Sequence, residues 1–235
     1  MPEIENEVQE ARQRAARRTK NLQAYVDWFN RLSYLVATTV CQKKKKKQRV
    51  KIIEFWVEIA RECVNFGNFN SLMGIITGLN MIPVARLKRT WTKLQSCNCK
   101  FAVLEHQMDP SSNFLSYRTT LRAAISRSEG ATDQRQRIII PFFSLLIKDL
   151  FVVNEATASK LPNGHINFAK ARILAKKLKE FAIWKDVECP YAKTPVVAEF
   201  LQFSAIWNEK ELDMESFECE GPELQEEKDR YKRLK

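Results

Sequence analysis

Apolar residues recur at helical spacing along most of the chain. They return every three or four residues within Tyr25–Val36, and the same stripe covers Ile52–Cys63 and Phe69–Leu79. A period near 3.6 residues is typical of a helix that buries one face. Apolar positions occupy much of the circumference of Phe69–Leu79, which predicts a central helix that ends at Asn80.

The second half of the chain predicts two helices joined by a turn. Pro141–Ala156 is almost wholly apolar, is interrupted by Lys148 and Asp149, and ends on a glutamate among small residues. The turn-forming segment Leu161–Gly164 follows, and residues 167–183 then show an amphipathic helical pattern. The two helices therefore form a predicted hairpin.

Other elements follow from caps and turn residues. Asp109–Ser112 contains cap residues and a proline suited to a first turn, which predicts a helix through Arg122. The polar stretch Ser126–Gln136 predicts a loop. Val196–Phe203 and Glu220–Lys235 predict short closing helices.

The first twenty residues differ from the rest of the chain. Residues 1–20 have acidic side chains first and arginines later, an order that suits the helix dipole, but they have no strong apolar stripe. We predict a charged helical extension that frays, followed by one folded domain over residues 21–235.

Composition supports a single all-α domain. The 235 residues are 45% hydrophobic, and the 6 glycines and 8 prolines are too few for a many-turned β-sandwich. The 6 cysteines form no CxxC pair, so we expect no zinc site and a reduced, intracellular protein. The longest apolar run, Ile138–Ile147, is shorter than the roughly 20 residues that span a bilayer, and no leader opens the sequence. We expect a soluble, cytoplasmic protein.

The net charge of +11 suits nucleic acid, an acidic membrane or an acidic protein. The densest run of positive charge consists of Lys43, Lys44, Lys45, Lys46 and Lys47, and we interpret this run as a solvated loop. Attraction to acidic lipid, at about 1 kcal/mol per charge near the surface, is the alternative. The chain has no glycine-rich phosphate loop, zinc finger or aromatic RNA signature, so we expect no nucleic-acid partner.

The sequence contains no pattern typical of covalent catalysis. His106 and His165 have no spacing that identifies a nucleophile–base pair, and we interpret both as structural or solvated. The carboxylates of Glu54 and Glu58 lie one turn apart on a polar helix face. We therefore expect a protein that acts by binding and deforming a partner, not an enzyme that makes or breaks covalent bonds.

Six ordered strings resemble the catalytic domain of Ras-family guanine-nucleotide exchange factors, the RasGEF domain. They are FNRLS (Phe29–Ser33), ARECVNFGNFNSLMGIITGLN (Ala60–Asn80), PVARLKRTW (Pro83–Trp91), YRTTLR (Tyr117–Arg122), IPFFSLLIKDLFVVNEA (Ile140–Ala156) and INFAKAR (Ile166–Arg172). Their order and separations also match, and the resemblance covers residues 21–235. Glu105–Phe114, Leu161–Phe168 and Trp184–Pro190 are most similar to the RasGEF-domain family member one group, which is linked to Rap GTPases.

The resemblance implies an α-helical bowl from which a helical hairpin projects into the nucleotide site of a small GTPase. In Sos-like exchange factors, an apolar residue of this hairpin and a glutamate one turn later enter the magnesium and phosphate region. The matching positions are Phe151 and Glu155, four residues apart and therefore on one helix face. The resemblance implies no cofactor and no metal bound by this chain, because the magnesium ion and the nucleotide belong to the GTPase.

The resemblance also implies a contact surface for the second switch segment of the GTPase. The matching residues are Met73, Asn80 and Phe142. On their helical stripes, Met73 and Phe142 are also ordinary candidates for the core. We expect GTPase contact for Phe142 and Asn80, and both alternatives stay open for Met73.

Several positions depart from the Sos-like pattern. Phe151 replaces a leucine, and Ser144 replaces a glycine near the start of the hairpin helix. Asn113 replaces a histidine that contacts the GTPase, so we place Asn113 among the candidate GTPase-binding residues. Tyr117 and Arg122 match the family, and we interpret both as residues that join helices.

Two hypotheses follow from the resemblance. The first is an exchange factor for a Ras-family GTPase, with Rap preferred over Ras, recruited to membranes by that partner. Residues 1–20 do not resemble the usual first helices of the domain or the exchanger-motif module that precedes it. The second hypothesis is therefore a module that binds a GTPase or a membrane without promoting exchange.

Overall fold

The structure, a computed structural model, describes the backbone of residues 2–235 and the side chains of residues 19–94 and 97–235. Within that range the chain forms twelve α-helices, one short 3-10 helix at Gln134–Arg137 and no strand longer than an isolated bridge. The helices are α1 (Pro2–Cys41), α2 (Lys46–Asn65), α3 (Phe69–Asn80), α4 (Ile82–Ala85), α5 (Lys88–Trp91), α6 (Gln95–Gln107), α7 (Ser111–Glu129), α8 (Phe143–Ala156), α9 (Phe168–Lys185), α10 (Pro195–Phe203), α11 (Glu209–Cys219) and α12 (Gln225–Leu234). The predicted all-α class is confirmed.

Helix α3 is central, as its apolar circumference predicts, and it packs closely against α1. A Cβ atom at Gly78 would lie 2.5 Å from the carbonyl oxygen of Ser33 and 2.7 Å from Cβ of Val36. Ser33 Oγ also donates to the carbonyl oxygen of Gly74, at 2.9 Å. The small residues on α3 therefore allow the two helix backbones to approach, and the core forms around this contact.

The turn between α2 and α3 fixes the segment that leads into the hairpin. Gly67 has φ +70°, and a Cβ atom there would lie 2.5 Å from the carbonyl oxygen of Ile138, so this position requires glycine. The next residue, Asn68, caps α3 by accepting a hydrogen bond from the backbone N–H of Ser71 at 3.0 Å. The backbone N–H of Ile140 donates to the carbonyl oxygen of Gly67 at 2.9 Å. The entry to α8 is thus attached to the core.

The basic loop is ordered by a buried arginine. The lysine run begins in the loop after α1 and continues into the first turn of α2. Arg49, fully buried, donates to the carbonyl oxygens of Lys43 and Lys44, each at 2.8 Å. It also bonds to Thr90 Oγ1 at 3.0 Å and pairs with Glu220 at 3.3 Å. A buried charge needs such partners, and these contacts link the loop to the C-terminal end of α11.

The N-terminal part of the chain continues directly into the core. Helix α1 extends without interruption from Pro2 to Cys41, so the predicted boundary after residue 20 lies within a helix. Leu32 is the first described residue of the buried core. None of the helices in the described part of the chain combines the length and apolar character needed to cross a membrane.

Two predictions about the middle of the chain differ from the structure in detail. The segment predicted as a loop, Ser126–Gln136, is helical at both ends, because α7 continues to Glu129 and a 3-10 helix starts at Gln134. The predicted helix start at Asp109–Ser112 agrees with the first residue of α7, but Ser112–Phe114 have left-handed backbone, and Asp109 accepts bonds from the N–H and the hydroxyl of Ser111. Short-range side-chain bonds of this kind compete with a regular first turn.

The chain closes with three helices. Arg31 on α1 donates to the carbonyl oxygens of Leu201 and Ser204, at 2.8 and 2.6 Å, and so holds the end of α10. Helix α11 begins with a capping box between Asn208 and Glu211. The predicted helix at Val196–Phe203 is confirmed as α10, and the charged end forms α12.

Candidate functional site

Helices α8 and α9 run antiparallel and form the predicted hairpin. Near its base the rings of Phe143 and Phe181 lie 5.3 Å apart. Near its tip Lys170, almost fully buried, donates from Nζ to the carbonyl oxygen of Asn154 at 2.7 Å. An antiparallel bridge within residues 157–167 closes the turn. The hairpin tip is therefore an ordered structure.

Phe151 and Glu155 lie one turn apart on α8, and both side chains are exposed. Phe151 is 64% exposed, so most of its ring is open to a partner. Glu155 Oε1 accepts a 3.0 Å hydrogen bond from the side chain of the neighbouring Asn154. An apolar group and a carboxylate thus stand together on the surface near the tip, as the resemblance implies.

The start of α8 is held by two tyrosines from other helices. Phe142, the N-cap residue, makes no side-chain cap. Its backbone N–H instead donates to the hydroxyl of Tyr117 at 2.9 Å, and that of Phe143 donates to the hydroxyl of Tyr25 at 3.3 Å. Burial raises the pKa of each phenol to about 12. Both stay protonated, and the hydroxyl of Tyr25 also contacts Asn70 Oδ1. This supports the interpretation of Tyr117 as a residue that joins helices.

Phe142 lies at the boundary between the hairpin and the core. Only 9% of it is exposed, and its ring lies 5.9 Å from that of Phe29 and 6.0 Å from that of Phe114. Most of this side chain therefore packs inside the domain. The burial favours a core role, and the predicted GTPase contact would use the small exposed part.

Met73 and Asn80 line one cleft between α3, α4 and the end of α6. The cleft has a volume of about 690 Å³ and a mainly apolar lining that includes Ile82, which is 60% exposed. Asn80 Nδ2 donates to Glu105 Oε1 at 2.6 Å on its rim. Met73 is half-buried. Its side chain packs against the core on one side and lines the cleft on the other. The structure brings these two predicted contact residues together.

Asn113 lies in an unusual turn at the start of α7. Ser112, Asn113 and Phe114 all have positive φ, between 50° and 60°. Left-handed backbone costs L-residues roughly 1–2 kcal/mol each, although asparagine tolerates it better than most. The turn is held by Phe114, which packs against Phe142, and by Arg118, whose Nε donates to the carbonyl oxygen of Asn113 at 2.8 Å. Asn113 itself is exposed.

Three charged residues connect α7, α8 and α9. Arg118 donates from two nitrogens to the two carboxylate oxygens of Asp149, at 2.7 and 2.8 Å, and Lys177 Nζ lies 3.1 Å from Asp149 Oδ2. Burial raises the pKa of the Asp149 carboxyl, but the hydrogen bonds from Arg118 and Lys177 outweigh it, so its pKa lies below the usual value. The carboxylate is therefore charged at neutral pH.

Sequence reasoning did not identify Arg118, Lys170 or Lys177 as part of this region. One signal was present in the sequence. Asp149 interrupts an apolar run, and a half-buried charge in such a run needs a partner of opposite charge. Its neighbour Lys148 is exposed. The partners of Asp149 are 31 and 28 residues away, and no periodic pattern indicates such distant pairs.

Comparison with known proteins identifies the family. The sequence model of the RasGEF domain matches residues 3–172, which include α1 to α8, the cleft, the left-handed turn and the start of α9. The chain belongs to the RasGEF domain family. The match begins at residue 3 and so includes most of residues 1–20, a segment in which none of the six motifs lies.

Individual relatives agree with this assignment. The human Ras-GEF domain-containing family member 1B is 55% identical over 219 residues, which cover 93% of this chain and 46% of the relative. The zebrafish (Danio rerio) member 1B-A is 55% identical and the chain covers 42% of it, and the mouse member 1C is 55% identical with 46% covered. The chain thus spans less than half the length of these curated relatives. The resemblance to the member one group is confirmed.

Proposed function

We propose that this RasGEF domain accelerates GDP release from a Ras-family small GTPase, with Rap preferred over Ras. Family membership supports the exchange role. The preference for Rap rests on the resemblance of Glu105–Phe114, Leu161–Phe168 and Trp184–Pro190 to the member one group. The observation that carries the proposal is the exposure of Phe151 and Glu155 together near the tip of an ordered hairpin.

The chemistry of these two side chains suits release of a magnesium-bound nucleotide. A bulky apolar ring near a magnesium site displaces the oxygen ligands and water that a hard cation requires. A carboxylate there repels phosphate oxygens and accepts hydrogen bonds from the groups that held them. Insertion of Phe151 and Glu155 would thus weaken nucleotide binding without any covalent step.

The cleft provides the second part of the proposed interface. Met73 supplies apolar surface and Asn80 a hydrogen-bonding group, and Glu105 on the rim is available to orient that amide. Asn113, exposed in the left-handed turn, and the exposed edge of Phe142 would extend the contact. A few such anchors dominate the affinity of most interfaces.

Binding linkage then explains the activity. A protein that binds the empty GTPase more tightly than the loaded one weakens nucleotide binding by the same factor. Each 1.4 kcal/mol of this coupling changes the nucleotide affinity about tenfold. The domain needs no cofactor for this, because the magnesium ion and the nucleotide are bound by the GTPase.

The test is the rate at which fluorescent GDP leaves Rap or Ras in excess unlabelled nucleotide. We expect acceleration by the wild-type chain on Rap, less on Ras, and a rate about tenfold lower with Glu155→Ala, within the usual range of coupling between sites. Glu199→Ala is the matched control, because Glu199 is an exposed glutamate within α10. This control should retain the wild-type rate.

The outcomes separate exchange from binding alone. No acceleration by the folded wild-type chain, together with capture of nucleotide-free Rap, would support the non-catalytic module instead. Equal rates with Glu155→Ala and Glu199→Ala would contradict the role of Glu155. Equal acceleration of Rap and Ras would remove the proposed preference.

The ordered lysine loop supports a second, weaker proposal of contact with acidic membranes. Lys45, Lys46 and Lys47 are exposed, whereas Lys44 pairs with Glu215. Each exposed charge contributes about 1 kcal/mol near an anionic surface. We expect sedimentation with phosphatidylserine vesicles at low salt that decreases in high salt and in a variant with these three lysines changed to glutamine. No sedimentation at low salt would exclude the contact.

A further inference from the structure

Asp149 connects the hairpin to the rest of the domain from the middle of α8. Its two carboxylate oxygens accept bonds from Arg118 on α7, and one of them also accepts from Lys177 on α9. The Asp149 side chain is 17% exposed, and those of Arg118 and Lys177 are 25% and 30% exposed. A bidentate arginine–carboxylate pair fixes both distance and orientation.

Apolar packing holds only the base of the hairpin. Leu145 is buried, but every described α8 residue after it is partly or fully exposed. Within α9 the one buried side chain is that of Lys170, whose Nζ bonds within the hairpin, to Asn154 and Ser159. Beyond the start of α8, which Tyr25 and Tyr117 hold, the hydrogen bonds described between the hairpin helices and the body are those of Asp149 to Arg118.

Arg118 has a second role in the same region. Its Nε donates to the carbonyl oxygen of Asn113, at 2.8 Å, while its two terminal nitrogens bind Asp149. One guanidinium group thus fixes the left-handed turn of α7 relative to α8. Both elements carry residues that we propose to contact the GTPase, namely Asn113, Phe151 and Glu155.

We propose that Arg118, Asp149 and Lys177 form a positioning cluster that holds the hairpin at the angle required for nucleotide release. This inference rests on the proposed exchange function. None of the three side chains is proposed to touch the nucleotide, and they act by fixing Phe151 and Glu155. A displacement of about 1 Å at a reacting group can lower a rate by about 100-fold, so a loosened hairpin would affect turnover strongly.

The cluster predicts a specific split in the kinetic constants. The cleft with Met73 and Asn80 lies outside the hairpin, so initial binding of the loaded GTPase should be retained when the hairpin loosens. Asp149→Asn should lower kcat for GDP release about tenfold or more and leave KM within about threefold. Lys177→Met removes one of the three bonds to Asp149 and should lower kcat by a smaller factor.

The chain provides a matched control on its body. Glu58 pairs with Arg61 at 2.9 Å and with Lys100 at 2.6 Å, so it also joins two cations across two helices. Glu58→Gln makes the same kind of change as Asp149→Asn, but away from the hairpin. It should leave both kcat and KM at wild-type values.

A double variant tests whether Arg118 acts through Asp149. If the pair is one unit, Arg118→Gln combined with Asp149→Asn should be no slower than the slower single variant. Additive losses would show that the two residues act separately and would overturn the cluster.

Amide hydrogen exchange of the free domain gives a readout that does not depend on activity. In Asp149→Asn we expect faster exchange across residues 143–156 and 168–185, with residues 69–80 unchanged as evidence of an intact fold. Wild-type kcat in Asp149→Asn, or unchanged hairpin exchange, would overturn the inference. A wild-type chain that does not accelerate GDP release would instead overturn the proposed function, while hydrogen exchange would still show whether the cluster holds the hairpin.

Discussion

The body of the domain and its hairpin are held by different interactions. In the body, the side chains of Val36, Leu72 and Leu79 are completely buried, and α1 and α3 meet with almost no space between their backbones. In the hairpin, Phe151 and Phe168 are 64% and 78% exposed, and polar bonds make the attachments beyond the base.

This difference separates stability from function. Close apolar packing gives the body a large, non-directional stabilisation. Directional bonds give the hairpin a defined angle while its apolar side chains stay available for a partner. Substitutions in the body should therefore change the free energy of unfolding, and equivalent substitutions in the hairpin should change exchange instead.

The largest expected effect is the loss of a core leucine. A leucine in the hairpin provides the contrast. Leu79→Ala should lower the free energy of unfolding by about 2–5 kcal/mol, because it leaves a cavity in the core. Leu178→Ala on α9, where the side chain is 54% exposed, should change it by less than about 0.5 kcal/mol. Urea unfolding of both variants measures the contrast. Equal losses would show that the hairpin is part of the core.

Two phenylalanines, one at the N-cap of α8 and one within it, sharpen the boundary. Phe142→Ala should destabilise the domain by about 3 kcal/mol, because it removes contacts to Phe29 and Phe114. Phe151→Ala should change stability by less than about 0.5 kcal/mol but slow GDP release. Thermal unfolding should therefore show the larger loss of stability in Phe142→Ala, and GDP-release assays should show the larger loss of rate in Phe151→Ala. A stable Phe142→Ala variant that binds Rap poorly would favour the contact role over the core role.

A smaller change tests the tyrosine at the start of α8. Tyr117→Phe leaves the buried backbone N–H of Phe142 without its acceptor, at an expected cost of about 1–3 kcal/mol. Tyr191→Phe, at an exposed tyrosine, is the control and should be close to neutral. Urea midpoints compare the two, and equal midpoints would contradict the role assigned to the Tyr117 hydroxyl.

The smallest effect is the pH dependence of the Asp149 cluster. A carboxyl whose pKa is lowered in the folded state stabilises above its unfolded pKa of about 3.9, and this contribution is lost as the pH falls below that value. Wild type should exceed Asp149→Asn in stability by about 1 kcal/mol at pH 7, and the difference should shrink toward pH 3. A difference that grows in acid would contradict the lowered pKa.

The sequence predicts the elements of both regions better than their attachments. Phe69–Asn80 and the two hairpin helices carry strong apolar periodicity, and the structure places them within a few residues of the prediction. The bonds of Arg118 to Asp149 and to Asn113 depend on how helices meet in space. A one-dimensional pattern does not contain that information.

The candidate site shows the same limit. The spacing of Phe151 and Glu155 places them on one helix face, and the structure has both exposed. At Phe142, by contrast, an apolar residue at the start of a helix fits core and interface equally, and only its surroundings show that it is mostly buried. The left-handed backbone at Asn113 also has no glycine to indicate it.

The hydroxyls of Tyr25 and Tyr117 have a consequence for how this domain can diversify. They fix the start of α8 from two other helices, so the foot of the hairpin does not depend on the residues at its tip. A tip that contributes little to folding can accept substitutions without unfolding the protein. Exposed side chains near the tip can therefore change which partner the domain binds while the helices that carry them keep their fold.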